Sequence, residues 1–310
     1  MSTSSAALRR RLSAFRASRV APPCKYFGIC GGCDFQQLSY EAQLTAKVDI
    51  IKDSLHRIGK IEFDREIPII PSPKPLGYRS RAQWHLDTRS KKIGYFKRGT
   101  HEVIDVDHCP ILDPVLDETL SELRADLDWG SFWAEEAVVE AAVGSNEEIT
   151  LGSNELPDPE PIAFEAVGER YAFDASSFFQ GNASLVEKLI ETAIGEASGK
   201  HALDLYCGVG LFSLPLARRF DGVTGVEGSE HAVSFAQQNA ANAGLENIRF
   251  FQDGVGEFLA ARDVGTTDFV LLDPPRAGTE KGVIEKIVKL RPRHISYVSC
   301  DPAILARDLR

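Results

Sequence analysis

From residue 183 onward the chain alternates short apolar runs with amphipathic stretches at a nearly constant interval, and this alternation limits the fold more than any other feature. The pattern predicts helices over 183–197, 211–219, 229–243, 254–262 and 279–290. Between them it predicts strands over 201–206 (HALDLY), 222–227 (GVTGVE), 247–253 (NIRFFQD), 268–273 (DFVLLD) and 294–299 (HISYVS). Consecutive parallel strands need a crossover long enough to hold a helix, so the reading is an α/β fold with a doubly wound, Rossmann-like parallel sheet.

The part before it is built differently. Residues 34–58 carry Leu44, Val48, Ile51 and Leu55 at helical spacing with Gly59 as a stop signal. Residues 76–107 read as short strands broken by turns, with lysines and arginines on the alternating polar positions, so this region is α+β. A further helix is predicted over 113–127, followed by weak strands and the Pro-rich loop NELPDPEP. No apolar run approaches the ~18 residues of a membrane span.

A net charge of −10 argues at first against a nucleic-acid partner, but it is unevenly distributed. Residues 1–110 hold 19 basic and 11 acidic side chains, residues 111–170 hold 2 and 16, and residues 171–310 hold 14 and 18. Within 71–101 there are eight basic residues and one acid, Asp87. A phosphate-bearing partner would therefore meet the first 110 residues and the pocket mouth, with Arg79, Arg81, Lys97 and Arg98 as phosphate contacts, and avoid the acidic stretch. The leader, with Arg9, Arg10, Arg11, Arg16 and Arg19 and no acid, reads as a basic flexible tail; its composition also fits an organellar transit peptide. The expected divisions are 1–23 (tail), 24–110 (cysteine and RNA-binding region), 111–175 (acidic connecting subdomain) and 176–310 (nucleotide-type domain).

In ALDLYCGVGLFSLPLA a buried strand runs through Gly208 and Gly210 into a helix, which lets the backbone approach a ligand at the carboxyl end of the strand. Glu227 ends the next strand, where an acid can accept ribose hydroxyls. Ser213 replaces the third glycine of a dinucleotide fingerprint, and the fourth strand ends in the stiff Asp273-Pro274-Pro275-Arg276; both features point away from NAD and toward S-adenosylmethionine. Cys24, Cys30 and Cys33, with a Gly-Gly pair inside the loop and Cys109 further on in DHCPI, suit a structural zinc or a cubane iron–sulfur cluster, and spacing leaves both open. Cys300 closes the fifth strand at the same carboxyl edge, before a helix N-terminus, as a candidate nucleophile; Cys207, under the glycine loop, is assigned a structural role.

Taken together, CKYFGICGGCDFQQLSYEAQLTAK, GYRSRAQWHL, IGYFKRGTHEVIDVDHCPI, SSFFQGN, DLYCGVGLFSLPLA, VTGVEGS, LLDPPRAG and SCDPAILARDL resemble the S-adenosylmethionine-dependent RNA uridine-5-methyltransferases, especially the iron–sulfur members acting on ribosomal RNA. The resemblance covers roughly residues 24–310 and implies a class I methyltransferase sheet behind an iron–sulfur and RNA-binding region. It implies a [4Fe–4S] cluster on Cys24, Cys30, Cys33 and Cys109, and S-adenosylmethionine on Gln180, Tyr206, Glu227 and Asp273 with the glycine loop, Asp253 lying near the adenine. Cys300 would add to carbon 6 of uracil. The implied protein is a cytoplasmic monomer with RNA as partner, ribosomal RNA ahead of transfer RNA, and no membrane association.

Two departures qualify the resemblance. The family's N-terminal RNA-binding barrel has no counterpart before Cys24, and the chain ends ten residues after Cys300, before the segment that carries the family's general-base glutamate and the last strands of the sheet. A C-terminally truncated chain that binds cofactor but turns over poorly is expected on that basis. Asp301 is an internal acid that could replace the base, and a non-catalytic RNA-binding or assembly protein is the alternative reading. Methylation of exocyclic amines would call for an Asn-Pro-Pro-Tyr type loop, which Asp273-Pro274-Pro275-Arg276 does not match.

Overall fold

A computed structural model describes residues 18–130, 132–153 and 158–310. The basic tail through residue 17 and part of the Pro-rich loop lie outside the described residues.

The amphipathic stretch near the start forms α1 (Tyr40–Ser54), which the Ser39 hydroxyl caps by accepting from the Ala42 amide. It runs on into a π-helical turn, Leu55–Gly59, and stops at Lys60, whose φ of 57° is left-handed. Three strands follow: β1 (Arg81–Asp87), β2 (Lys92–Phe96) and β3 (Val103–Asp105). Then come α2 (Pro114–Asp126), β4 (Glu136–Val143) and β5 (Ile149–Gly152).

The five strands form one antiparallel sheet in the order β3-β2-β1-β4-β5. The boundary expected at 110/111 therefore falls inside a sheet: β4 pairs along the whole of β1, from Arg81 opposite Ala142 to Asp87 opposite Glu136. The α2, β4 and β5 of the acidic stretch complete a two-layer unit with β1, β2 and β3, while its residues from Ile162 on pair in a separate hairpin. Net charge drew that line, but burial decided the architecture. Val139, Ala141 and Val143 of β4 and Leu116 and Leu120 of α2 bury against Trp84, Leu86 and Ile93, and none of the acids from Asp113 to Glu148 is buried.

A hairpin of β6 (Ile162–Ala166) and β7 (Glu169–Phe173) leads into the second half. There α3 (Val186–Ile194), β8 (Gly199–Leu205), α4 (Ser213–Ala217), β9 (Phe220–Glu227) and α5 (Glu230–Asn242) are followed by β10 (Ile248–Gln252), α6 (Val255–Ala261), β11 (Phe269–Leu272), α7 (Val283–Leu290), β12 (His294–Tyr297) and α8 (Pro302–Asp308). The strands pair in parallel in the order β10-β9-β8-β11-β12, as the alternation predicts. All four β11 residues are buried because helices cover both faces of the sheet. Apolar side chains fill the layer on one side around Phe212, Leu214 and Phe235, and on the other around Val255, Phe258 and Ile287. Buried Asn239 of α5 stitches the hairpin to this sheet by bonding both the N–H and the C=O of Ala172 and the carbonyl of Val209.

The chain runs outward from β8 through β9 to β10 and then crosses back, so the strand order reverses between β8 and β11. That reversal opens a crevice beyond the carboxyl ends of these two strands, where ligands of open sheets bind.

Candidate active site

The chain leaves β8 through Tyr206, Cys207 and Gly208. Tyr206 has φ 62° and Gly208 φ 54°, so two residues of one turn are left-handed, and Tyr206 bears the strain of a side chain there. A Cβ built on Gly208 meets nothing within 4 Å, so the turn faces open space. Its amide donates to Glu227 Oε2 at 3.1 Å, and the Ser229 amide donates to Oε1 at 2.9 Å, which fixes the carboxylate at the end of β9. The Asp253 amide reaches the Glu227 carbonyl at 3.0 Å and brings Asp253 to the same rim. Cys207 is buried beneath the turn, and burial pushes its thiol well up, in keeping with a structural role.

The opposite wall follows β11. Asp273 accepts from Gln180 Nε2 at 3.0 Å, and burial pushes its carboxyl up to about 6 while that hydrogen bond works in the other direction. Gln180 comes from the loop 174–182, which is held from both halves of the molecule. Arg81 Nη2 donates to the Ala175 carbonyl at 2.7 Å, the Ser80 amide donates to the Gly181 carbonyl at 3.0 Å, and Asp174 meets His231 at 2.6 Å. Gln180 and Asp273 are 93 residues apart and meet only because the antiparallel sheet presses this loop onto the parallel one.

Below the crevice, fully buried Asp204 accepts from Ser213 Oγ at 2.5 Å. Burial pushes its carboxyl up to about 7, the Ser213 bond opposes this, and Asp273 and Glu227 push it further up. Asp204 is largely protonated below about pH 7, so the charge that favours a cationic ligand here is that of Asp273 and Glu227. Cys300 stands exposed after β12 at the same edge, and Asp301 beside it caps α8 by accepting from the amides of Ala303 and Ile304 at 2.8 and 3.1 Å. Asp301 is therefore engaged in fixing the backbone that carries Cys300.

Sequence reasoning missed three members of this site. Phe178, one turn of chain from Gln180, is 69% exposed, an uncommon state for a phenylalanine. Burial keeps the Tyr206 phenol protonated, and Glu280, which accepts its hydroxyl, adds to this. Asp204 was legible as the one acid inside an apolar strand.

The other cysteines gather at the far side of the antiparallel sheet. The loop 24–33 is zipped to β2 and the turn after it, through Gly31 N to Phe96 O at 3.0 Å and Arg98 N to Ile29 O at 2.8 Å. Arg98 also donates to the Cys33 carbonyl at 2.7 Å and to Asp34 at 2.6 Å. The Gly32 amide points at Cys30 Sγ at 3.4 Å. Cys109 follows β3, its amide held by Asp117 at 2.7 Å. Burial pushes the thiol of Cys33 up, and that of Cys109 up to about 11; the Gln36 side chain opposes this at Cys33, and backbone bonds oppose it at Cys109. Cys24 and Cys30 add to the rise at Cys33, and Cys33 and Cys24 to that at Cys109, so the four thiols share one field. Among the described residues no three His, Cys, Asp or Glu side chains form a ready single-ion site.

Of the four basic residues expected at RNA, Lys97 and Arg98 are exposed and Arg81 is not. Arg79 lies near Cys33 and slightly opposes the rise of its thiol, Arg98 donates to the cysteine loop, and Lys97 pairs with Glu102 at 3.1 Å. Arg81 turns inward, where burial lowers its pKa.

A family model described as tRNA (Uracil-5-)-methyltransferase matches residues 145–310. A 23S rRNA (uracil(1939)-C(5))-methyltransferase, RlmD, of Alkalilimnicola ehrlichii is 32% identical over 339 aligned positions, which cover 94% of this chain and 75% of the relative. The RlmD of Vibrio parahaemolyticus is 33% identical over 335 positions with the same coverage. Among solved structures, Pyrococcus abyssi tRNA (uracil-54, C5)-methyltransferase in complex with S-adenosyl-L-homocysteine matches with a TM-score of 0.72 and 25% identity, over 91% of this chain and 79% of that one.

Proposed function

Because this chain belongs to the family of S-adenosylmethionine-dependent RNA uracil-C5-methyltransferases, we propose that it methylates a uridine of 23S ribosomal RNA, with Cys300 as the nucleophile. The observation that carries the reading is the convergence of Gly208, Glu227, Asp273 with Gln180, and Cys300 at the carboxyl edge of one parallel sheet, around its point of strand reversal. Curated relatives at 32 and 33% identity act on ribosomal RNA, which favours that substrate over transfer RNA.

S-adenosylmethionine supplies an electrophilic methyl group on a cationic sulfur. The open turn at Gly208 and the Asp273 and Glu227 carboxylates suit such a ligand. Tyr206, Gly208, Gly210, Glu227, Gln180 and Asp273 line its place, with Asp253 toward the adenine. Carbon 5 of uracil is too weak a nucleophile to take the methyl unaided. Addition of the Cys300 sulfur to carbon 6 would place electron density on carbon 5, which would form its bond to the methyl as the methyl–sulfonium bond breaks and S-adenosylhomocysteine leaves. Loss of the carbon 5 proton to a base and breakage of the carbon 6–sulfur bond restore the aromatic base and the thiol. The target must leave its stack to reach the crevice, and exposed Phe178 offers it an aromatic face.

The four clustered thiols fit an iron–sulfur cluster by their chemistry. They are the right donors in number and type, all are free, and the Gly32 amide is aimed at a sulfur. Cys24, Cys30, Cys33 and Cys109 would hold a [4Fe–4S] cluster, whose charge would displace the protons that burial now holds on Cys33 and Cys109. Anaerobically purified protein is expected to contain about four irons per chain, and Cys33→Ser or Cys109→Ser to lose most of them; stoichiometric zinc without iron rejects the cluster.

Mass mapping of 5-methyluridine in RNA from cells lacking the gene tests the function. Loss of one methyl from 23S RNA, restored by the gene, is the expected result. Loss confined to transfer RNA would move the substrate, and no loss from either would reject the reading.

A further inference from the structure

The nucleophile and the acid wall opposite it sit on different loops, and one buried carboxylate ties both down. Asp308, the last residue of α8, has a side chain only 5% exposed. Its Oδ2 accepts from the Thr279 amide at 3.0 Å, the Thr279 hydroxyl at 3.2 Å and the Tyr297 hydroxyl at 2.6 Å. Its Oδ1 pairs with Arg307 at 2.6 Å, and Arg307 Nη2 in turn donates to the Ala277 carbonyl at 3.0 Å.

These partners are the two routes into the crevice. Ala277 and Thr279 end the loop that starts at Asp273. Tyr297 ends β12, three residues before Cys300, and its backbone lies opposite Leu272, the residue before Asp273. Between the anchored points Gly278 has φ 82°, and a Cβ there would stand 2.4 Å from Arg307 Nη2, 2.5 Å from Ile304 Cγ2 and 2.7 Å from Asp308 Oδ2. The loop therefore lies directly on α8, with no room for a side chain between. At its other end α8 begins at the Asp301 cap next to Cys300, and its flank packs on the π-helical turn, where Gly59 faces the Ala306 carbonyl. A short helix fastened at both ends acts as a rigid strut between the Asp273 loop and Cys300.

We propose that Asp308 is a positioning residue for methyl transfer: by clamping the 277–279 loop and Tyr297 to α8, it sets the Cys300 sulfur at the distance from the Asp273 wall at which carbon 6 can be attacked while carbon 5 faces the methyl. The proposal rests on the function given above. The reaction is sensitive to such placement, since an error of about 1 Å in a reacting group costs on the order of 100-fold.

The test uses RNA bearing 5-fluorouridine at the target. Methyl transfer to it leaves carbon 5 without a hydrogen, so the thiol cannot be eliminated and the protein stays covalently bound. Asp308→Ala is expected to slow adduct formation per folded molecule by about 100-fold, with S-adenosylmethionine affinity within about threefold of wild type. Asp308→Asn keeps an acceptor for Thr279 and Tyr297 and is expected to recover to within about tenfold of wild type. Unchanged adduct rate in Asp308→Ala, or a parallel loss of rate and cofactor affinity that Asn does not rescue, would overturn the proposal. Should Asp308→Ala fail to fold, Tyr297→Phe removes a single bond from the same clamp; a several-fold slower adduct rate at unchanged cofactor affinity supports it, and an unchanged rate refutes it. Absence of adduct in the wild type, with intact cofactor binding, instead removes the nucleophile reading and the clamp's role with it.

Discussion

Cys300→Ser is expected to abolish covalent capture of 5-fluorouridine RNA and to lower methyl transfer by at least about 1,000-fold, while S-adenosylmethionine binding stays at the wild-type level. The alcohol of serine is far less acidic than a thiol, so almost none of it is ionised near neutral pH, and carbon 6 receives no nucleophile. Cofactor binding is spared because the turn at Gly208, the fixed Glu227 carboxylate and the Gln180 to Asp273 bond lie on β8, β9 and β11, and none contacts Cys300. Denaturing gels of protein with labelled RNA measure the adduct, and calorimetry measures the cofactor. An adduct in Cys300→Ser equal to that of wild type would transfer the nucleophile role to another residue. Cys207 is a poor substitute, since it is buried and its thiol is held protonated.

The second large effect concerns stability. Asp204 sits fully buried beneath the crevice with its carboxyl pushed up to about 7, and its Oδ1 has no hydrogen-bond partner. In an unfolded chain the same group titrates near 3.9. The folded state binds this proton more tightly, so the contribution of Asp204 to stability is fully present below about pH 4 and is lost as pH rises through about 7. Asp273, at about 6, acts in the same direction over a narrower window. Asp204→Asn carries no titrating group, and its unfolding free energy is expected to fall less between pH 4 and pH 8 than that of wild type, by roughly 2–4 kcal/mol. Denaturant titrations at the two pH values measure the difference. Equal pH dependence in the two proteins would show that Asp204 titrates normally in the fold.

Much of the cofactor half was legible in the sequence. The order and direction of β8 to β12 follow from alternation, and Gly208, Glu227 and Asp273 lie at strand ends, so finding the strands finds them. Gln180 and Asp273 are both named from motifs, but the bond between them is not legible, because a contact across 93 residues leaves no local pattern. The phosphate-contact expectation rests on charge density. Charge says how many cations a segment carries and nothing about where each guanidinium points: Arg81 turns inward to Ala175, and Arg98 is spent on Cys33 and Asp34. The acidic stretch was set apart for the same reason, although its apolar positions complete the β1 sheet.

The sequence by itself determined the parallel half, the cysteine set and the identity of the chemical groups at the crevice. These depend on short-range periodicity and on residue types, both of which are local properties of a chain. Only the tertiary structure decided that β4 and β5 join the N-terminal sheet, that this sheet holds the Gln180 loop against Asp273, and that Asp308 binds the 277–279 loop to the helix behind Cys300. Each of these is a long-range pairing whose partners are selected by burial and hydrogen-bond satisfaction across the whole molecule, so no window of sequence contains the information that fixes it.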